Sequence, residues 1–229
     1  MPTPRKILII AAHPDDEILG CGGTMARHSD QGDDVAVIFM TNGVGARGQG
    51  QDTSQDPSLR SSALDQALDI VGARLLAHLS WPDNEMDTVS LLKIAQSLEP
   101  LLADFQPDLI YTHHGGDLNL DHRLTMQAVL TAARPQPGSS VKAIYSFEVA
   151  SSTAWQGSSL HSAFQPQHYV SIEAQLERKL AALEAYHEEM RPFPHARSVE
   201  ALAHLARFRG SQIGFQAAEA FAVERSLVF

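Results

Sequence analysis

A histidine and three consecutive carboxylates, His13-Pro14-Asp15-Asp16-Glu17, stand directly behind the apolar run Lys6-Ile7-Leu8-Ile9-Ile10-Ala11-Ala12. Adjacent like charges repel and cost stability, and a bound cation removes that cost. His and Asp are ordinary Zn²⁺ ligands, and a carboxylate left over can act as a base on bound water. The plainer reading is a helix cap, with Asp15 or Asp16 capping a helix that starts near Ile18. A cap needs one such residue, not a histidine and three acids. A second stretch dense in ligand atoms is Asp117-Leu118-Asn119-Leu120-Asp121-His122. It lacks the twelve-residue frame and closing Glu of an EF-hand. Read locally, it is an Asx-turn leading to a helix cap at Asp121. As half of a site it needs one distant partner, and His-Pro-Asp-Asp provides it.

The elements that must position these residues alternate. Lys6–Ala12 reads as a short buried strand and Val35–Met40 as a second, with a helix from Ile18 to Gln31 between them, closed by Gly32. Residues 42–56 read as a loop over the site, rich in Gly, Gln, Asp and Ser. Asp56-Pro57 opens a helix striped by Leu64, Leu68 and Val71. Leu75–Leu79 is a third strand, followed by the turn Trp81-Pro82-Asp83-Asn84 and a helix marked by Leu91, Leu92, Ala95, Leu98, Leu101 and Leu102. Asp108–Thr112 is a fourth strand, residues 113–121 a polar loop, and Arg123–Ala133 a helix. Lys142–Phe147 and His168–Ile172 are further strands, and Glu173–Glu189 and Val199–Arg209 further helices. The rhythm predicts an α/β fold: a doubly wound, mostly parallel, Rossmann-like sheet with helices on both faces, built as one domain over 1–229. The strand ends carry His13-Asp15-Asp16, Thr41-Asn42, Asp83-Asn84 and His113-His114, along the edge where such sheets bind ligands. Gly20 to Gly23 reads as close helix–sheet packing, and Cys21 as a small packed residue.

The 229 residues carry 27 Asp+Glu against 17 Lys+Arg, a net charge of −10. That excludes the usual nucleic-acid binder and a polybasic membrane-surface protein. The lone cysteine excludes an internal disulfide and fits a reducing compartment. No run approaches the ~18 apolar residues of a membrane helix. The expectation is a cytoplasmic protein with no membrane insertion. The oligomeric state is left open, homo-oligomers included.

His-Pro-Asp-Asp-Glu followed by Leu19-Gly20-Cys21-Gly22-Gly23-Thr24, Thr41-Asn42-Gly43 and Asp121-His122 resembles the LmbE-like (PIG-L) deacetylases. The resemblance runs on through Arg60, Val71-Gly72, Trp81-Pro82-Asp83, Ala185-Tyr186 and Ala218-Glu219-Ala220-Phe221. It implies a Zn²⁺-dependent enzyme, one ion per chain with other divalent ions admissible, that removes an N-acetyl or other N-acyl group from a small amino sugar or its conjugate. Carried over by position, His13, Asp16 and His122 match the metal ligands and Asp15 the general base. Asp121 matches a carboxylate that orients a catalytic histidine, and Arg60 a substrate contact. One departure stands out: Asn119 occupies the place where the family commonly has a histidine. Asn can donate a hydrogen bond to an oxyanion or substrate but cannot pass on a proton. His113 or His114 is then expected to supply the acid or oxyanion donor. Arg47 is the candidate contact for an anionic substrate group. The competing readings are a metal-dependent amidase or esterase on a non-sugar conjugate, and a sugar-binding protein without turnover.

Overall fold

The computed structural model describes residues 3–41, 57–157, 159 and 161–228, with backbone only for 57–61. β1 (Lys6–Ala11), β2 (Asp34–Thr41), β3 (Arg74–Trp81), β4 (Leu109–His113), β5 (Ala143–Phe147), β6 (His168–Ser171) and β7 (Ala218–Ser226) form one sheet in the order β3-β2-β1-β4-β5-β7-β6. β1 pairs in parallel with both β2 and β4, and β4 with β5, whereas β7 is antiparallel to both its neighbours. Alternate residues of β1 face opposite ways, so both faces can be buried. Ile7, Ile9 and Ala11 pack with α1 (Asp16–Asp30), α2 (Pro57–Val71) and α5 (Leu176–Ala185). Leu8 and Ile10 pack with α3 (Leu91–Phe105) and α4 (Leu120–Ala132). Helices on both faces make the sheet doubly wound, as expected. The order reverses between β1 and β4, and there their carboxyl ends open a crevice, the ligand site of such folds.

The glycines after His-Pro-Asp-Asp-Glu let α1 sit against the sheet. A Cβ on Gly20 would land in the Phe147 ring, and one on Gly23 would lie 2.7 Å from Ile172. α1 breaks at Cys21, whose φ of −145° and ψ of 23° leave the helical region. The break frees backbone groups that need partners. Glu219 of β7 accepts from Gly23 N at 3.0 Å and Thr24 N at 2.6 Å, and Lys179 of α5 donates to Leu19 O at 3.0 Å. Lys179 and Glu219 pair at 2.5 Å, both buried. A buried ion pair thus caps a helix that starts again in mid-course.

Several boundaries differ from the sequence reading. β7 has no sequence period that announces it; its buried half is Ala218-Glu219-Ala220-Phe221, two alanines, a carboxylate and a phenylalanine. α4 begins at Leu120, capped by the Asn119 side chain, which accepts from Asp121 N at 2.8 Å. Asp121 and His122 therefore sit on the first turn of a helix, not in a loop. α5 is shorter than Glu173–Glu189 because Tyr186 turns out of it toward α1. α6 (Val199–Ser211) follows a strap over 186–198. The loop expected over 42–56 lies outside the described residues. Among the described residues, no helix is long and apolar enough to cross a membrane.

Candidate metal centre and active site

Three side chains, one from each of three elements, converge in the crevice. His13 leaves the end of β1, Asp16 opens α1 and His122 lies in the first turn of α4. One ligand atom of each falls within 4.8 Å of the others. His13 Nδ1 lies 3.0 Å and His122 Nε2 3.1 Å from Asp16 Oδ2. His122 Nε2 and Asp16 Oδ1 are buried without a hydrogen-bond partner. Such orphans are costly in a protein interior, and a cation between them removes the cost. Two imidazole nitrogens and a carboxylate suit a borderline ion such as Zn²⁺.

The far nitrogen of each imidazole is held by acids. His13 Nε2 faces Asp83 Oδ1 at 3.1 Å and Asp121 Oδ2 at 3.2 Å. His122 Nδ1 faces Asp117 Oδ1 at 3.2 Å. Carboxylates of this kind fix the ring and raise ligand basicity. They are themselves fixed: Asp121 accepts from Asn84 N and Met86 N, and Asp117 from Ser152 Oγ, Thr153 Oγ1 and Asn119 N. Burial pushes the His13 pKa down, but the hydrogen bonds its ring donates to Asp121, Asp16 and Asp83 outweigh it and hold it well above the ordinary value. Burial likewise opposes, and Asp16 and Asp117 overcome it, to raise that of His122. A site that draws protons onto two imidazoles draws a metal cation for the same electrostatic reason.

Asp15, between His13 and Asp16 in the chain, has its own set of contacts. It occupies the residue before α1 but makes no capping bond, so the cap reading fails. Its φ of 116° is costly for a residue with a Cβ, on the order of 1–3 kcal/mol. Two contacts hold it there. Asp15 N donates to Glu17 Oε2 at 2.9 Å, and Arg197 Nη1 donates to Asp15 Oδ2 at 2.9 Å. Burial raises the Asp15 pKa to about 7, the Arg197 charge opposing and the Asp16 charge adding. Glu17 Oε1 accepts from Tyr186 Oη at 2.8 Å, and burial pushes Glu17 up to about 8.

His113 and His114 diverge as alternation along a strand requires. His113 stacks on His122 at 3.9 Å, and its Nε2 accepts from Ala12 N at 2.8 Å. That acceptor role puts any proton of the neutral ring on Nδ1. Burial and the His122 charge hold its pKa well below the usual value. His114 turns away, with Nε2 on Ser162 O at 3.0 Å and its ring edge-on to Phe164. Of the two, His113 alone lies against the metal-capable group, with Nε2 3.6 Å from Asp16 Oδ2 and its buried Nδ1 without a hydrogen-bond partner. Asp121, expected to orient such a histidine, orients His13 instead. Asn119 caps α4 and donates to Asn84 Oδ1 at 3.2 Å. Arg60 lies in α2 with its side chain undescribed, and Arg47 lies outside the described residues. Sequence reasoning noted Asp83 and Asp117 as polar strand-end or loop residues without roles, and it missed Ser152 and Arg197 altogether.

The family described as PIG-L, GlcNAc-PI de-N-acetylase, matches residues 8–133, more than half of the chain and all of the metal-capable group. The chain belongs to the PIG-L family. It is 32% identical over 188 residues to an uncharacterized deacetylase of Escherichia coli, YaiS, covering 80% of this chain and 90% of that one. The conserved protein TT1542 of Thermus thermophilus has the same architecture, with a TM-score of 0.74 at 26% identity over 98% of this chain and 97% of that one. An N,N'-diacetylchitobiose deacetylase of Pyrococcus horikoshii shares the fold, with a TM-score of 0.75 at 23% identity over 96% and 83%. The PIG-L match ends before Ser152, Tyr186 and Arg197, so the holders of Asp15 and of the His122 ring lie partly beyond it.

Proposed function

We propose that this protein is a metal-dependent N-deacetylase, with Zn²⁺ as its ion, acting on an N-acetylated glucosamine-type sugar or a conjugate of one. The carrying observation is the convergence of His13, Asp16 and His122 around orphaned ligand atoms, with a separately held carboxylate beside them. His13, Asp16 and His122 hold the ion, and Asp117, Asp121 and Asp83 orient the two imidazoles. When bound, such an ion supplies acidification of water and polarisation of the amide carbonyl. Asp15 takes the proton of the attacking water. Asp15 then returns that proton to the leaving amine, acting as base and acid in turn. This supports proton delivery without a histidine at position 119.

The test is amine and acetate release across N-acetylglucosamine, its glycosides and its sugar nucleotides, with elemental analysis of the same preparations. Wild type should hold one divalent ion per chain and release acetate from at least one substrate. His122→Ala should lose the ion, and undiminished metal in it would refute the ligand set. Asp15→Asn should keep the ion and lose about 10²–10⁴-fold in turnover, the usual contribution of a base.

A further inference from the structure

We infer that Arg197 is the positioning residue of Asp15: it clamps one carboxylate oxygen so that the other alone is offered to the attacking water. The inference rests on the reading of Asp15 as the base. Arg197 Nη1 donates to Asp15 Oδ2 at 2.9 Å, while its Nε donates to Ser151 Oγ at 3.0 Å. Asp15 Oδ1 has no hydrogen-bond partner among the described residues. Two anchors on different atoms of a planar fork fix the direction of the guanidinium as well as its charge. Ser151 is buried, so the second anchor is not a chance surface contact.

The backbone that delivers Arg197 is fixed as well. Its N–H donates to His195 Nδ1 at 3.0 Å, and its carbonyl accepts from Arg191 N at 3.0 Å. The next residue, Ser198, caps α6 through Ala201 N at 3.0 Å. A cation serving only to neutralise Asp15 needs none of this. Orientation matters because Asp15 is already pinned at its backbone by Glu17 in a costly conformation, which leaves the side-chain torsion as the remaining freedom. An arm from 182 residues away removes it.

The experiment uses the full chain with its metal and the first substrate of the panel that wild type turns over. Amine release, metal content and Tm are read on the same samples. Arg197→Met should lower kcat by about 10²-fold with KM nearly unchanged and metal retained. Arg197→Lys keeps the charge but not the fork, so Tm should recover while kcat stays about tenfold low or worse. In an Asp15→Asn background, Arg197→Met should remove nothing further. Wild-type kcat in Arg197→Lys, a loss carried by KM, a loss matched by lost metal, or full additivity with Asp15→Asn each overturns the inference. Should Arg197→Met not fold, Ser151→Ala, which removes the second anchor and leaves the ion pair, carries the same comparison, with unchanged kcat as the overturning result. A fully active Asp15→Asn enzyme overturns the base assignment instead, and no turnover on any substrate overturns the deacetylase reading.

Discussion

Glu17 shows how a residue inside a catalytic motif can serve without touching the chemistry. It is fully buried, its two oxygens are taken by Asp15 N and Tyr186 Oη, and burial lifts its pKa to about 8. At neutral pH it is a neutral acid. Gln can mimic that state, its oxygen accepting from Asp15 N and its amide donating to Tyr186. Glu17→Gln should therefore keep metal and most turnover, whereas Glu17→Ala should lose turnover because Asp15 is freed from its costly φ. The linkage has a definite sign. A carboxyl whose pKa is raised on folding stabilises fully below its unfolded value, near 4.5, and the benefit is lost as pH rises through about 8. The Tm of Glu17→Gln relative to wild type should accordingly climb between pH 5 and about 8 in thermal unfolding. A constant difference would mean Glu17 is ionised in the native protein.

At the scale of elements, the break in α1 is the device that aims the motif. Residues 16–20 leave the end of β1, and the helix past Cys21 packs against α5 and the sheet. The helix restarts at Gly22, with Glu219 as its cap and Lys179 on the abandoned carbonyl of Leu19. Breaking a buried pair by removing one partner typically costs about 3–5 kcal/mol, since the other charge stays buried. Lys179→Met should fall in that range by urea unfolding. Glu219→Gln leaves the Lys179 charge buried in the same way and should fall in the same range. Equal and small effects would show that the pair is incidental to the break.

For the whole molecule, the candidate metal group joins the strand ends of β1 and β4 through α1 and α4, so on the proposed reading metal occupancy and global stability are coupled. Chelation should lower Tm, and re-addition of Zn²⁺ should restore it. The pKa values of His13 and His122 are both raised, so protons compete for these nitrogens at higher pH than for a free histidine. Apparent metal affinity should drop steadily from pH 8 to about 6, measured by competition with a chelator of known affinity. A flat profile would remove His13 and His122 from the ligand set.

What was legible in the sequence was what local pattern encodes. Runs such as Ile7-Leu8-Ile9-Ile10 and Val35-Ala36-Val37-Ile38 are buried on both faces and declare parallel strands. Leu91, Ala95, Leu98 and Leu102 declare a helix face. The clusters His13-Pro14-Asp15-Asp16-Glu17 and Asp117 to His122 declare a site by residue type, whereas the choice of His13, Asp16 and His122 within them came from the resemblance to the PIG-L family. β7 was not legible, since a strand buried among neighbours needs no alternating pattern and Glu219 interrupts its apolar run. The partner of each acid was not legible either. Asp121 binds His13 across 108 positions and Arg197 binds Asp15 across 182, and no periodicity links residues so far apart. His113 and His114 looked equivalent in the chain. Only the pleat of β4, the N–H of Ala12 and the carbonyl of Ser162 decided that His113 lies against the metal-capable group and His114 turns from it. Residue chemistry and period are properties of the local chain, whereas hydrogen-bond direction, burial and charge pairing come into being when distant segments are packed against each other.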